Sequence, residues 1–176
     1  MSNVRHQILN VKNGFSLIEL IVCLFIINLG MIGVLSLVLQ NIKVESTNKN
    51  ALIASQLAQE GLELVRNQRD NNWLSGTVVW TNNIDNFPTY IIDYSYKSGA
   101  VTGVGEIDDE KTKLYINKDG YYTHESTSNS PTIFSRLISA IVSDKGDYLD
   151  IKSKVYWKER GRDYNYEAEV YLYDWK

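Results

Sequence analysis

From Leu20 to Leu39 the chain carries no charged residue, running Leu20-Ile21-Val22-Cys23-Leu24-Phe25-Ile26-Ile27 at one end and Val34-Leu35-Ser36-Leu37-Val38-Leu39 at the other. At roughly 1.5 Å per residue, a helix of about twenty such residues spans the hydrocarbon core of a bilayer. A helix on the surface of a soluble core would keep a polar face, and this one has none. Beyond Leu39 the pattern becomes amphipathic without a proline to stop the helix. Ile53, Ala54, Leu57, Ala58, Gly61, Leu64 and Val65 recur at helical spacing, with Gln56, Gln59, Glu60, Glu63, Arg66 and Asn67 around them. The pattern predicts one helix from Phe15 to about Asp70, on the order of 80 Å long. Its second half presses the stripe on a sheet, and Glu63 can pair with Arg66 at i, i+3. Asn28, Gly30, Gly33 and Ser36 are its weak points.

Asn71 to Pro88 reads as a connection broken by Asn71-Asn72, Ser75-Gly76 and Asn82-Asn83, with Thr77-Val78-Val79-Trp80 as a short candidate strand. Strand composition then dominates. Thr89 to Tyr96 is one strand, Ser98 to Lys111 a loop, and Lys113 to Asn117 with Tyr121 to Thr123 a hairpin turning at Asp119-Gly120. Thr132 to Ser143, Tyr148 to Lys158 and Tyr164 to Tyr173 form a meander of three longer strands with turns at Asp144 to Asp147 and Arg160 to Asp163. Alternation puts Leu149, Ile151, Val155 and Trp157 on one face with Ala168, Val170 and Leu172. Lys152 and Lys154 then face Glu167 and Glu169 on the other.

Charge gives the apolar run a direction. Arg5 and Lys12 precede it, and Lys43, Glu45 and Lys49 follow; the basic leader ahead of the run is read by the positive-inside tendency as leaving the N-terminus cytoplasmic. A secretory signal peptide begins in the same way, but this run is longer than the usual apolar region and no Ala-x-Ala-like site follows it. A plain signal anchor gives no account of Glu19, since a carboxylate in a spanning segment is unfavourable and is kept for a purpose.

The basic leader ending in Gly14, the Gly14-Phe15 junction, Phe15-Ser16-Leu17-Ile18-Glu19 and the apolar run together resemble a type IV prepilin. The resemblance implies an α+β pilin fold, a long N-terminal hydrophobic helix packed on a C-terminal antiparallel sheet. It implies cleavage by a prepilin peptidase between Gly14 and Phe15, N-methylation of Phe15, and a role for Glu19 in assembly with other pilin subunits. In a filament core, the α-amino group of a neighbouring Phe15 would neutralise the Glu19 carboxylate, which also lies in the first helical turn where the macrodipole favours an anion. Leu57 to Asn67, then Arg69-Asp70 and Trp73, is similar to minor pilins of the PilV type. The implied location is the cytoplasmic membrane as a single-pass protein, then an extracellular pilus or a periplasmic pseudopilus. Two departures stand out: the proline many type IV pilins carry near Ser36 is missing, and so is the C-terminal disulfide of many major pilins.

Domain organisation follows as leader 1–14, membrane and assembly half of the helix 15–40, amphipathic half 41–72, and sheet head 73–176. Cys23, the one cysteine of the 176 residues, lies in the apolar run, so the head must hold by core packing alone. With 18 basic and 21 acidic residues and no basic cluster, nucleic-acid binding is not indicated. His6 and His124 build no nucleophile-base constellation, and neither an enzyme nor a cofactor is expected. Asp108-Asp109-Glu110 fits no EF-hand spacing and reads as a solvated acidic face rather than a metal site. Twelve tyrosines and four tryptophans leave a second class open, a membrane-anchored surface module that binds a ligand on exposed aromatics. A pseudopilin of a type II secretion system or a DNA-uptake machine shares the N-terminal motif and is the nearer alternative.

Overall fold

The computed structural model describes residues 14–76, 79–94, 102–143 and 145–174. It is α+β, as expected: one helix, α1 (Leu17–Leu74), followed by an antiparallel seven-stranded sheet. Contacts divide the chain into two compact units, 1–46 and 47–176. Within the described part of the first, the helix is uninterrupted through Asn28, Gly30, Gly33 and Ser36.

The second unit contains the sheet. Its strands are β1 (Thr89–Ile91), β2 (Thr102–Gly103), β3 (Lys113–Ile116), β4 (Tyr122–Thr123), β5 (Ser130–Val142), β6 (Tyr148–Glu159) and β7 (Arg162–Tyr173). The last three form the expected meander. Leu149 lies opposite Leu172, Ile151 opposite Val170, Lys152 opposite Glu169 and Lys154 opposite Glu167. Lys152 Nζ reaches Glu169 Oε1 at 3.4 Å, an exposed pair that helps register more than stability. Only Arg160 and Gly161 separate β6 from β7, both at positive φ (51° and 77°), the backbone a two-residue type I′ hairpin turn requires.

Along its other side β5 is shared: β1 pairs near its C-terminal end (Tyr90 with Ile138) and β3 near its N-terminal end (Ile116 with Ser130). The hairpin at Asp119-Gly120 forms with Tyr115 opposite Thr123, and Asn117 Oδ1 accepts from the amides of Asp119 and Tyr121.

Several expectations are corrected. The helix begins at Leu17 rather than Phe15 and continues to Leu74 rather than Asp70. Its last turn is held because Asn72, buried, donates to the carbonyls of Trp80 and Asn82, while the Arg69 guanidinium lies 4.5 Å from the Trp73 ring centroid. Trp73 is therefore part of the helix. Val79 and Trp80 are not in a strand; the first two residues of that candidate, 77 and 78, lie outside the described residues, as do 95–96 of the first strand, 98–101 of the loop and Asp144 of the turn. The remainder of the loop holds β2 and a 3₁₀ turn, Glu110–Thr112, capped by Asp109 Oδ1 accepting from the Lys111 amide. That gives Asp109 a structural role. In the stripe Leu62 is buried, whereas Ile53 and Leu64 are half-buried. Glu60, expected on the polar surface, turns towards the sheet.

The core has two apolar clusters. Ala54, Leu57 and Ala58 of α1 pack with Leu114, Phe134, Val155 and Trp157; Leu62 and Val65 pack with Tyr90, Ile92, Ile138, Ile151 and Leu172 among others. Between them, at successive inward positions, Arg136 falls between Phe134 and Ile138 on β5, and Ser153 between Ile151 and Val155 on β6. Gly61 falls between Ala58 and Leu62 on the helix. A β-carbon at Gly61 would sit 2.5 Å from Ser153 Oγ, 2.9 Å from Ile138 Cδ1 and 3.3 Å from Arg136 Cδ. The helix meets the sheet so closely here that only glycine fits.

Candidate functional site

Ser16 stands just before α1, and its carbonyl accepts the first helical bond, from the Leu20 amide at 3.2 Å. Gly14 and Phe15 precede it outside the helix, and Phe15 is 82% exposed. A β-carbon at Gly14 would meet no atom within 4 Å. Nothing in the described chain therefore requires glycine at 14.

Glu19 lies in the first turn, where unsatisfied backbone amides favour an anion. Its side chain is exposed, and among the described residues no basic group or donor pairs with it. The other polar side chains of the run are satisfied internally. Asn28 Nδ2 donates to the Leu24 carbonyl at 2.7 Å and Ser36 Oγ to the Ile32 carbonyl at 3.0 Å. Such bonds back along the helix let an amide or a hydroxyl sit in lipid without an outside partner. A carboxylate has no equivalent bond to make with helical carbonyls, so Glu19 is the one polar group of this stretch that calls for a donor from elsewhere. The apolar side chains from Leu17 to Leu39 are exposed throughout, Cys23 among them as a free thiol, and the helix is long and apolar enough to cross a membrane.

The model of a family described as the prokaryotic N-terminal methylation motif matches residues 9–35. The match supports a type IV pilin-like or pseudopilin-like precursor. No curated protein and no solved structure matches the chain. The methylation motif covers the Gly14-Phe15 junction, Glu19 and most of the apolar run; it implies processing by a prepilin peptidase and assembly with like subunits, and the helix fits membrane anchoring.

A second constellation went unread in the sequence. Arg136 is fully buried beneath α1, where Nη1 donates to the Leu57 carbonyl (3.2 Å) and to Glu60 Oε1 (3.1 Å) and Nη2 to the Ile92 carbonyl (3.0 Å). Beside it Asp93, also buried, accepts through Oδ2 from Thr123 Oγ1 and from the His124 amide at 2.7 Å. Both ring nitrogens of His124 are buried and without a hydrogen-bond partner among the described residues. Burial, and then the Arg136 charge, push its pKa down to about 4 against the pull of Asp93. No clear sequence signal marked Arg136, because Leu137 and Ile141 on the outward face of β5 are as apolar as Ile138 on its inward face. None marked His124 either. Among the described residues no group of three or more His, Cys, Asp or Glu side chains is arranged to hold a metal ion.

Proposed function

We propose that this protein is a non-enzymatic filament subunit of the minor-pilin type. It enters the membrane as a prepilin with its N-terminus cytoplasmic and is cleaved between Gly14 and Phe15. It is then methylated at Phe15 and drawn into a type IV pilus-like filament through its N-terminal helix. The observation that carries this reading is the Glu19 carboxylate, without a partner among the described residues, at the head of the exposed apolar segment of α1 and within the methylation motif. An anchor that only had to sit in lipid would be better without the charge. A subunit that packs against the freed amine of a neighbouring Phe15 gains a buried ion pair, and breaking one side of such a pair costs about 3–5 kcal/mol. In domain terms, 1–14 is the leader, 15–40 the membrane and assembly segment, 41–72 the amphipathic half of the helix and 73–176 the head. A pseudopilin of a secretion or DNA-uptake machine uses the same N-terminal chemistry.

Two variants test this. Gly14→Val should leave a full-length precursor in the membrane, read by intact mass; a mature N-terminus at Phe15 from that variant would overturn the cleavage position. Glu19→Val should be cleaved and membrane-bound yet missing from sheared filaments, with Asp intermediate because its reach is shorter. Normal amounts of the Val variant in the sheared fraction would sink the assembly role. The anchored binding module would then become the better reading, with the exposed Tyr171 and Tyr173 packed around Tyr148 as its candidate platform.

A further inference from the structure

The corner after β4 is tied to the head through one carboxylate. Thr123 and the His124 amide both bond to Asp93 Oδ2, while Asp93 Oδ1 is buried and unpartnered among the described residues. The imidazole of His124 is enclosed, and neither nitrogen has a well-formed hydrogen bond among the described residues, although the backbone at Lys113 and Lys111 lies near enough to favour the charged ring in part. Charged and polar groups face it from three sides. Arg136 comes from β5, Asp93 from the segment after β1, and the backbone at Lys111 and Lys113 from the 3₁₀ turn and β3. On the helix, Glu60 is engaged with Arg136. A neutral ring fits this enclosure, whereas an imidazolium there would be desolvated and would face a guanidinium that is itself fully buried.

We propose that the His124 corner is an acid-released latch: protonation of the ring favours opening of the corner after β4 away from Asp93 and into water, while β3, held by its buried Leu114, stays paired with β5. This inference is independent of the N-terminal reading. The sign follows from linkage. The ring's pKa is lowered in the folded head, to about 4 from an ordinary 6.5. The closed state is therefore favoured above the ordinary value, and the advantage is lost as pH falls from about 6.5 towards 4. With those two values the opening equilibrium of the corner should rise roughly twentyfold between pH 7 and pH 5.

The test is hydrogen exchange on the full chain in detergent micelles at pH 7 and pH 5, corrected for the intrinsic pH dependence of exchange. Protection in peptides from 121–126 should fall about twentyfold at pH 5, with peptides from 113–117 and 148–159 unaffected. In His124→Gln, which cannot titrate, the acid response should vanish. Equal acid sensitivity in the variant and the parent would overturn the latch. Should that variant fail to fold, the imidazole resonance of His124, followed by NMR in a His6→Gln background, decides alone. A midpoint well below 6 supports the latch and one near 6.5 rejects it.

Discussion

Arg136→Ala should strip about 2–5 kcal/mol from the head, the range for truncating a large, fully buried side chain to alanine. A domain of this kind is stable by only about 5–15 kcal/mol, so the urea midpoint should drop by a large fraction. Two effects add. The alanine leaves a void beneath α1, and it also withdraws the donor from the Ile92 carbonyl and from Glu60. Arg136→Met separates them. Methionine refills most of the volume, and Glu60, 39% exposed in its side chain, can turn to water. The Ile92 carbonyl still loses this donor, so a loss of about 1–3 kcal/mol is expected. An Arg136→Ala midpoint equal to that of the parent would show that the guanidinium does not bind helix to sheet.

Gly61→Leu is the second large effect. A side chain here must enter space held by Ser153 Oγ, Ile138 Cδ1 and Arg136 Cδ, and overpacking of this kind costs about 1–3 kcal/mol, with a leucine at the upper end. Alanine should be milder, because it adds one carbon and gains about 1 kcal/mol of helix preference over glycine. Ser153 makes the argument quantitative. Its hydroxyl is buried without a partner among the described residues, so Ser153→Ala alone should be neutral or slightly stabilising. In the Gly61→Ala background it should recover more than it gives alone, since it removes the nearest obstructing atom. Unchanged midpoints for Gly61→Leu would mean that the helix can lift from the sheet at no cost.

Period-two alternation was informative where one face is charged. In β6 and β7, Lys152 and Lys154 against Glu167 and Glu169 left Leu149, Ile151 and Leu172 no choice of face, and the observed register follows. The same reasoning is weaker in β5, whose outward Leu137 and Ile141 are as apolar as inward Ile138, so hydrophobicity alone does not assign its faces. The sharing of β5 by β1 and β3 was illegible for another reason. It joins residues about fifty positions apart on one side and about fourteen to twenty-two on the other, and no local pattern encodes which strand pairs where. At the N-terminus the situation is reversed. Gly14, Phe15 and Glu19 are legible as a motif, yet the described chain gives Gly14 no steric reason to be glycine.

The central place of β5 has a consequence for synthesis. It is the strand on which α1, β1, β3 and β6 all depend, directly or through Arg136, and it begins only at Ser130. Before β5 is made, only local pairings such as β1 with β2 and β3 with β4 can form, and these strands are joined into one sheet beneath the helical stripe only once β5, from Ser130, is present. The closure entropy of these distant pairings is met late and together. The apolar helix thus becomes available long before the head can commit to its fold, an order that would suit the proposed export of the head across a bilayer while still extended.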